Sequence, residues 1–165
     1  MAALFAALAY VATSIIKIPT PGTGGYIHPG DAVVILCGIF LGPVYGGLSA
    51  AIGSMLSDLL GGYMNYVPIT FVIKGLVAVA SYFVFHAAMK VTKKMALSTI
   101  ACGICATVIV AGGYFICEIP MYGFGGALGS VPANIVQGIG GLVISTILMA
   151  VLCQVPDIKA MTSNA

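Results

Sequence analysis

The chain has 165 residues, of which 61% are hydrophobic and only 6% charged, for a net charge of +2. A mean hydropathy of +1.15, with apolar stretches near the ~20 residues needed to cross a bilayer, excludes a soluble domain. Six lysines without an arginine form no nucleic-acid patch, and no glycine-rich phosphate loop leads into Lys-Ser or Lys-Thr, because Lys74-Gly75 runs in the wrong order; any ATPase is another chain.

Glycine and proline divide the hydrophobic run. The first predicted helix covers about 2–18 and stops at Pro19, since proline cannot continue the backbone ladder. It lacks the basic flank of a signal peptide and leads straight into further spans. Pro19 to Gly30, with four glycines and three prolines, reads as a structured loop. The stretch from Asp31 to Leu60 is too long for one span, and Gly42-Pro43 divides it into predicted helices at about 31–41 and 44–60. After Gly61 to Val67, Pro68 opens a fourth helix at about 68–89, where its missing N–H does no harm. Lys90, Lys93 and Lys94 form the charge cluster that follows. A fifth helix at about 95–117, a loop from Glu118 to Ser130 and a sixth helix at about 131–154 complete the pattern.

The expectation is therefore an all-α, polytopic membrane protein: a six-transmembrane-helix bundle forming one membrane domain over 1–165. Lys90, Lys93, Lys94 and Lys159 fall on one side against Lys17 alone on the other, so the positive-inside rule orients the chain N-in, C-in. Asp31, Asp58, Lys74, Glu118, Asn134 and Gln137 then converge near the outer face from five helices. Ionisable groups at membrane depth cost several kcal/mol and face a partner, a cavity or a pathway. Lys74 needs a counter-ion, Asp58 or Asp31. Asp31 also suits the first turn of its helix, where a carboxylate meets orphan N–H groups. Gln137, inside a helix, requires a partner helix or a ligand. His28 reads as a loop histidine or a ligand contact, and a metal role lacks companions because His86 lies at the other side. Tyr26, Tyr63, Tyr66 and Tyr122 sit at the outer face, either as a headgroup belt or as rings able to stack on a flat heterocycle.

Cys37, Cys102, Cys105, Cys117 and Cys153 lie in apolar sequence and read as small hydrophobes rather than a disulfide or zinc framework. Ala2, Ala3, Ala6 and Ala7 give overlapping small-xxx-small pairs that let another helix approach closely, and Gly38, Gly42, Gly46 and Ala50 repeat the pattern further on. No nucleophile and base fall at useful spacing, which argues against an enzyme.

The runs GGYIHPGD (Gly24 to Asp31), LGPVYGGLSAAIGSMLSD (Leu41 to Asp58), GGYMNYVPITFVIKG (Gly61 to Gly75) and VPANIVQ (Val131 to Gln137) resemble the substrate-binding S components of energy-coupling factor (ECF) vitamin transporters, nearest the branch for hydroxymethylpyrimidine, pyridoxine-like or riboflavin-like substrates. The resemblance implies capture of a vitamin or precursor from outside, with a transmembrane coupling protein and two cytosolic ATPases as partners in a prokaryotic plasma membrane. It also implies that Ala3 with Ala7, or Ala2 with Ala6, meets the coupling protein. The expected substrate-binding residues are Tyr26, His28, Asp31, Asp58, Tyr63, Lys74, Glu118, Tyr122, Asn134 and Gln137, with no cofactor or metal. The alternative reading is a stand-alone secondary transporter or channel, although no inverted repeat is evident.

Overall fold

The computed structural model describes residues 1–20 and 23–155. Lys159, part of the charge count above, lies outside them. The described residues form four helices and a small ribbon: α1 (Ala2–Ile15), β1 (Ile18–Pro19), β2 (Tyr26–Ile27), α2 (Asp31–Leu60), α3 (Val67–Thr92) and α4 (Met95–Leu152). The last three helices are long and apolar enough to cross a membrane, whereas α1 is a shorter apolar helix.

Two of these helices are broken by glycine. Gly42 has φ 78° and ψ −179° inside α2, and Gly123 has φ 74° and ψ 170° inside α4, a region open essentially to glycine alone. At about 1.5 Å per residue, α4 would be roughly 87 Å long if straight, far beyond a bilayer of about 30 Å. Instead it doubles back at Gly123. Gly103 lies against Leu142 and Gly138 against Thr107, as expected for two antiparallel arms. α2 likewise turns sharply, so that Gly46 meets the backbone of Cys37. Gly42 itself has no neighbour that a Cβ would touch, so its role is the turn rather than the packing expected from the small-residue series.

The predicted loop over 118–130 is helical on both sides of Gly123. Away from water, a backbone satisfies its own polar groups most cheaply by staying helical, which compresses the reversal to a single glycine and tolerates Pro120 and Pro132 inside α4. α1 ends three residues before the predicted position 18. Ile16 is already extended (φ −126°, ψ 117°), and Ile18, preceding Pro19, is disfavoured in helix. The Gly/Pro-rich loop pairs as an antiparallel ribbon, Ile18 with Ile27 and Pro19 with Tyr26, and is closed by Thr20 N–H donating to Gly25 O at 3.0 Å.

The bundle is apolar outside and partly polar within. Val44, Phe83, Val108 and Ile116 are each more than half exposed, while Ser54, Ser57, Ser81, Thr99 and Ser145 are buried. Among the largest fully buried side chains, Lys74 comes first by volume. α1 packs closely on the second arm of α2, with Gly53 against the backbone of Ala6, and α2 meets α3 where Gly38 faces the backbone of Ala78. A Cβ at Gly38 collides with that backbone, so Gly38→Ala is expected to cost about 1–3 kcal/mol. Gly140 has open space, so Gly140→Ala should be neutral or slightly stabilising. Thermal unfolding of both variants in detergent checks the contrast.

Candidate functional site

The polar residues predicted to converge do meet, in two layers. The inner layer is an ion pair between Lys74 Nζ and Asp31 Oδ1, with both side chains out of solvent. Asp31 Oδ2 accepts a hydrogen bond from Gln137 Nε2 at 2.8 Å. Gln137 Oε1 in turn accepts from the backbone N–H of His28 at 3.0 Å, and His28 Nδ1 accepts from Gly30 N–H at 3.1 Å. The Lys74 ammonium also lies 5.5 Å from the Tyr114 ring centroid. Of the two counter-ions open to Lys74, the fold selects Asp31 for direct contact. The chain of bonds ties α2, α3, α4 and the loop together.

The outer layer surrounds Asp58 and Glu118. Tyr26 OH donates to Asp58 Oδ1 at 2.6 Å and lies 3.3 Å from Ser57 Oγ. Lys17 Nζ donates to Ser57 O at 3.2 Å and sits 4.4 Å from the Tyr26 ring centroid, so it pins the ribbon to the end of α2. Tyr66 OH donates to Glu118 Oε1 at 2.9 Å, and Ser130 Oγ donates to Glu118 Oε2. Asn134 Nδ2 reaches Ser130 Oγ at 3.4 Å, and the Thr70 and Tyr114 hydroxyls pair at 2.9 Å.

Between these groups lies a cavity of about 20 Å³, lined by Thr20, Gly25, Tyr26, His28, Asp58, Tyr66, Thr70, Tyr114, Glu118 and Asn134. This is about the space one water needs. Of the predicted residues, Tyr26, His28, Asp58, Glu118 and Asn134 line it. Asp31, Lys74 and Gln137 do not; they form the frame beneath. Tyr63 and Tyr122, with Tyr66 and Gly24, line a crevice of about 230 Å³. Tyr63 lies 4.4 Å from Tyr26 between ring centroids, and Tyr122 stacks near Tyr66 at 6.5 Å. Thr70 and Tyr114 are not among the residues expected from the sequence, and Tyr66 is expected there only as an outer-face ring, not as a substrate-binding residue. Their signal was spacing: Tyr66, Thr70 and Lys74 fall at i, i+4 and i+8, and Tyr114 precedes Glu118 by four, so each set shares one helix face.

The loop groups are tuned by burial. His28 is held far below the usual histidine range, at about 3, chiefly because burial penalises its charged form and secondly because Lys74 is near. It is a neutral imidazole at physiological pH. Since Nδ1 accepts from a backbone N–H, the ring hydrogen is on Nε2. Burial, followed by the hydrogen bond to Asp58, pushes the Tyr26 hydroxyl well above its ordinary value, so it remains a donor. Among the described residues no three His, Cys, Asp or Glu side chains gather as a metal site would require.

A second surface feature lies on α1. An apolar groove of about 570 Å³ runs between α1 and α2, with Ala2, Ala3, Ala6 and Ala7 along one wall. Ala3 and Ala7 are exposed, whereas Ala2 and Ala6 are half-buried. The half-buried pair faces α2: the Ala2 carbonyl accepts a hydrogen bond from Ser49 Oγ at 3.0 Å.

Comparison with known proteins accounts for this architecture. The family model described as "ECF-type riboflavin transporter, S component" matches residues 1–154. The chain belongs to that family. A Pyrococcus woesei protein named "Uncharacterized protein in gap 3'region" is 32% identical to this S component over 134 residues, covering 81% of this chain and 86% of the relative. The "Thiamine precursor transporter HmpT" of Lactococcus lactis subsp. cremoris (strain MG1363) is 29% identical over 154 residues, covering 88% of this chain and 81% of HmpT. A solved structure described as "Structure and mechanism of the S component of a bacterial ECF transporter" superposes with a TM-score of 0.66 at 24% identity over 93% of each chain, so the two share a fold. S components are membrane-embedded, substrate-binding subunits rather than catalysts, and they work with an energising module.

Removing one member of the inner ion pair leaves the other charge buried alone, which costs about 3–5 kcal/mol. Lys74→Met is therefore expected to lower thermal stability in detergent strongly. The double variant Lys74→Met with Asp31→Asn should recover most of the loss, and a double-mutant cycle of unfolding midpoints measures the coupling.

Proposed function

We propose that this S component captures a small vitamin or vitamin precursor at the outer face and delivers it to an ATP-driven ECF transporter. The candidate solutes are hydroxymethylpyrimidine, a pyridoxine-like pyridine and a flavin. The observation that carries the reading is a polar, tyrosine-lined cavity roofed by the β1–β2 ribbon at one end of an otherwise apolar bundle. The thiamine-precursor function of HmpT supports it as the function of a relative.

In this reading the six helical arms, with their reversals at Gly42 and Gly123, are the six membrane helices of one domain over 1–165, N-in and C-in in a prokaryotic plasma membrane. The lysine cluster supports that orientation: Lys90, Lys93 and Lys94 lie at the turn between α3 and α4, at the opposite end of α3 from Tyr66 and Thr70. The chain itself is no enzyme; two cytosolic ATPases hydrolyse ATP, and a transmembrane coupling protein docks at Ala3 and Ala7. The exposure of that pair favours its register over Ala2 and Ala6.

Tyr26, His28, Asp58, Glu118 and Asn134 contact the solute. Tyr63 and Tyr122 cover it, and Asp31, Lys74 and Gln137 hold the floor in shape. Binding sites for such molecules measure about 300–1,000 Å³, so a ring enters only as the ribbon swings outward and the tyrosines part. The ribbon suits that motion, because its own ladder has two residue pairs and its ties to the bundle are mainly side-chain bonds.

Native mass spectrometry of the gently purified chain should detect one equivalent of a pyrimidine, pyridine or flavin compound. An unliganded protein that also shows no heat with any of the three in calorimetry, or uptake into liposomes by this chain alone, overturns the reading. Ala3→Trp and Ala7→Trp should reduce co-purification with the coupling protein by roughly tenfold or more, as a large side chain separates close-packed helices, while ligand affinity stays unchanged. Normal recovery of the complex with both variants removes the docking face.

A further inference from the structure

Most polar groups around the cavity already have partners. Glu118 uses one oxygen for Tyr66 and the other for Ser130, Thr70 pairs with Tyr114, and His28 Nδ1 is occupied by Gly30. Asp58 differs. The residue is 4% exposed, Oδ1 takes the Tyr26 hydroxyl, and Oδ2 is buried without a hydrogen-bond partner; the Thr70 hydroxyl lies close enough to act on the carboxylate, but its hydrogen bond is with Tyr114. Among the described residues it is the one carboxylate oxygen in that condition; the other unpartnered buried atoms are the hydroxyls of Thr13, Ser54 and Ser81, and none of those residues lines the cavity.

The charges point the same way. Two acidic residues, Asp58 and Glu118, line the cavity and no lysine does. Lys74 is engaged by Asp31 below, and the Lys17 ammonium is held by Ser57 O and lies over the Tyr26 and Tyr63 rings. A phosphate or carboxylate entering here meets carboxylates and finds no free cation. A group bearing N–H hydrogens meets, on a residue that lines the cavity, an acceptor that is already desolvated and unpaired. Leaving such a buried acceptor unsatisfied is costly, so a ligand that satisfies it is favoured over one that does not.

We infer that the solute is an uncharged or cationic nitrogen heterocycle carrying an amino group, without phosphate or carboxylate, and that Asp58 Oδ2 reads that amino group. The inference rests on the reading of the chain as a vitamin-binding subunit and narrows its substrate class. A flavin fits less well, since its imide N–H is flanked by two carbonyl oxygens that a carboxylate would also approach. Pyridoxine lacks the amino group.

Isothermal titration calorimetry of the full chain in detergent tests this with five probes: amino-bearing hydroxymethylpyrimidine, its deamino analogue, its phosphate ester, pyridoxine and riboflavin. The aminopyrimidine is expected to bind at least about tenfold more tightly than each of the others, the span of one hydrogen bond to a charged group. Asp58→Asn keeps the shape and the acceptor for Tyr26, and should collapse the preference for the amino compound over its deamino analogue to about twofold or less. The wild-type series stands by itself should the variant fold poorly. Equal or tighter binding of the phosphate ester, the deamino analogue, pyridoxine or riboflavin, or a preference that survives Asp58→Asn, overturns the inference while leaving a vitamin receptor in place. Silence from all five probes overturns the vitamin reading and the inference together.

Discussion

The interior is organised around one buried ion pair. Withdrawing Lys74 and Asp31 from water costs several kcal/mol per charge, and their mutual attraction offsets this only when the remaining hydrogen-bonding positions are also filled. Gln137 fills one, and the Tyr114 ring lies beside the ammonium. Because the three residues come from α3, α2 and α4, the pair fixes the relative height of three helices whose apolar flanks could otherwise slide in lipid. Van der Waals packing between smooth apolar helices specifies depth poorly, whereas a buried charge has one place where it is satisfied.

The same pair governs the loop. Gln137 faces Asp31 with its amide nitrogen and His28 with its amide oxygen, so the backbone of the loop is positioned by the side chain that completes the ion pair. The roof of the cavity is thus referenced to its floor. A neutral His28 suits this arrangement, because a second positive charge near Lys74 would have no counter-ion.

Much of this was legible in the sequence because membrane depth penalises polarity. Asp31, Asp58, Lys74, Glu118, Asn134 and Gln137 stand out against an apolar background, and their positions within predicted helices sufficed to place them at one end. The choice of Asp31 over Asp58 as the counter-ion was not legible, since it depends on the sharp return of α2 at Gly42 and on how far α3 is rotated. Nor was the helical character of 118–130, where glycine and proline density signals a loop in water but not in lipid. Tyr66 is legible only as one of four outer-face rings, and Thr70 and Tyr114 do not stand out singly, because hydroxyl-bearing residues are common in membrane helices. Only their register with Lys74 and Glu118 marks the inward face. The family resemblance supplied the fold and the transport role, whereas the donor preference inferred for the cavity rests on an unpaired oxygen that only the folded arrangement reveals.

Asp58 has two oxygens, and they face different tasks. One holds Tyr26, and through it the ribbon; the other is buried without a partner on a residue that lines the cavity. In the proposed reading, a solute bonded to the second oxygen would keep the carboxylate oriented for the first, so that occupancy and closure would reinforce each other through a single side chain. Such a device would act on residence time more than on encounter rate: the loop would admit solute at the pace of its own opening, and departure would require two bonds on one carboxylate to fail together.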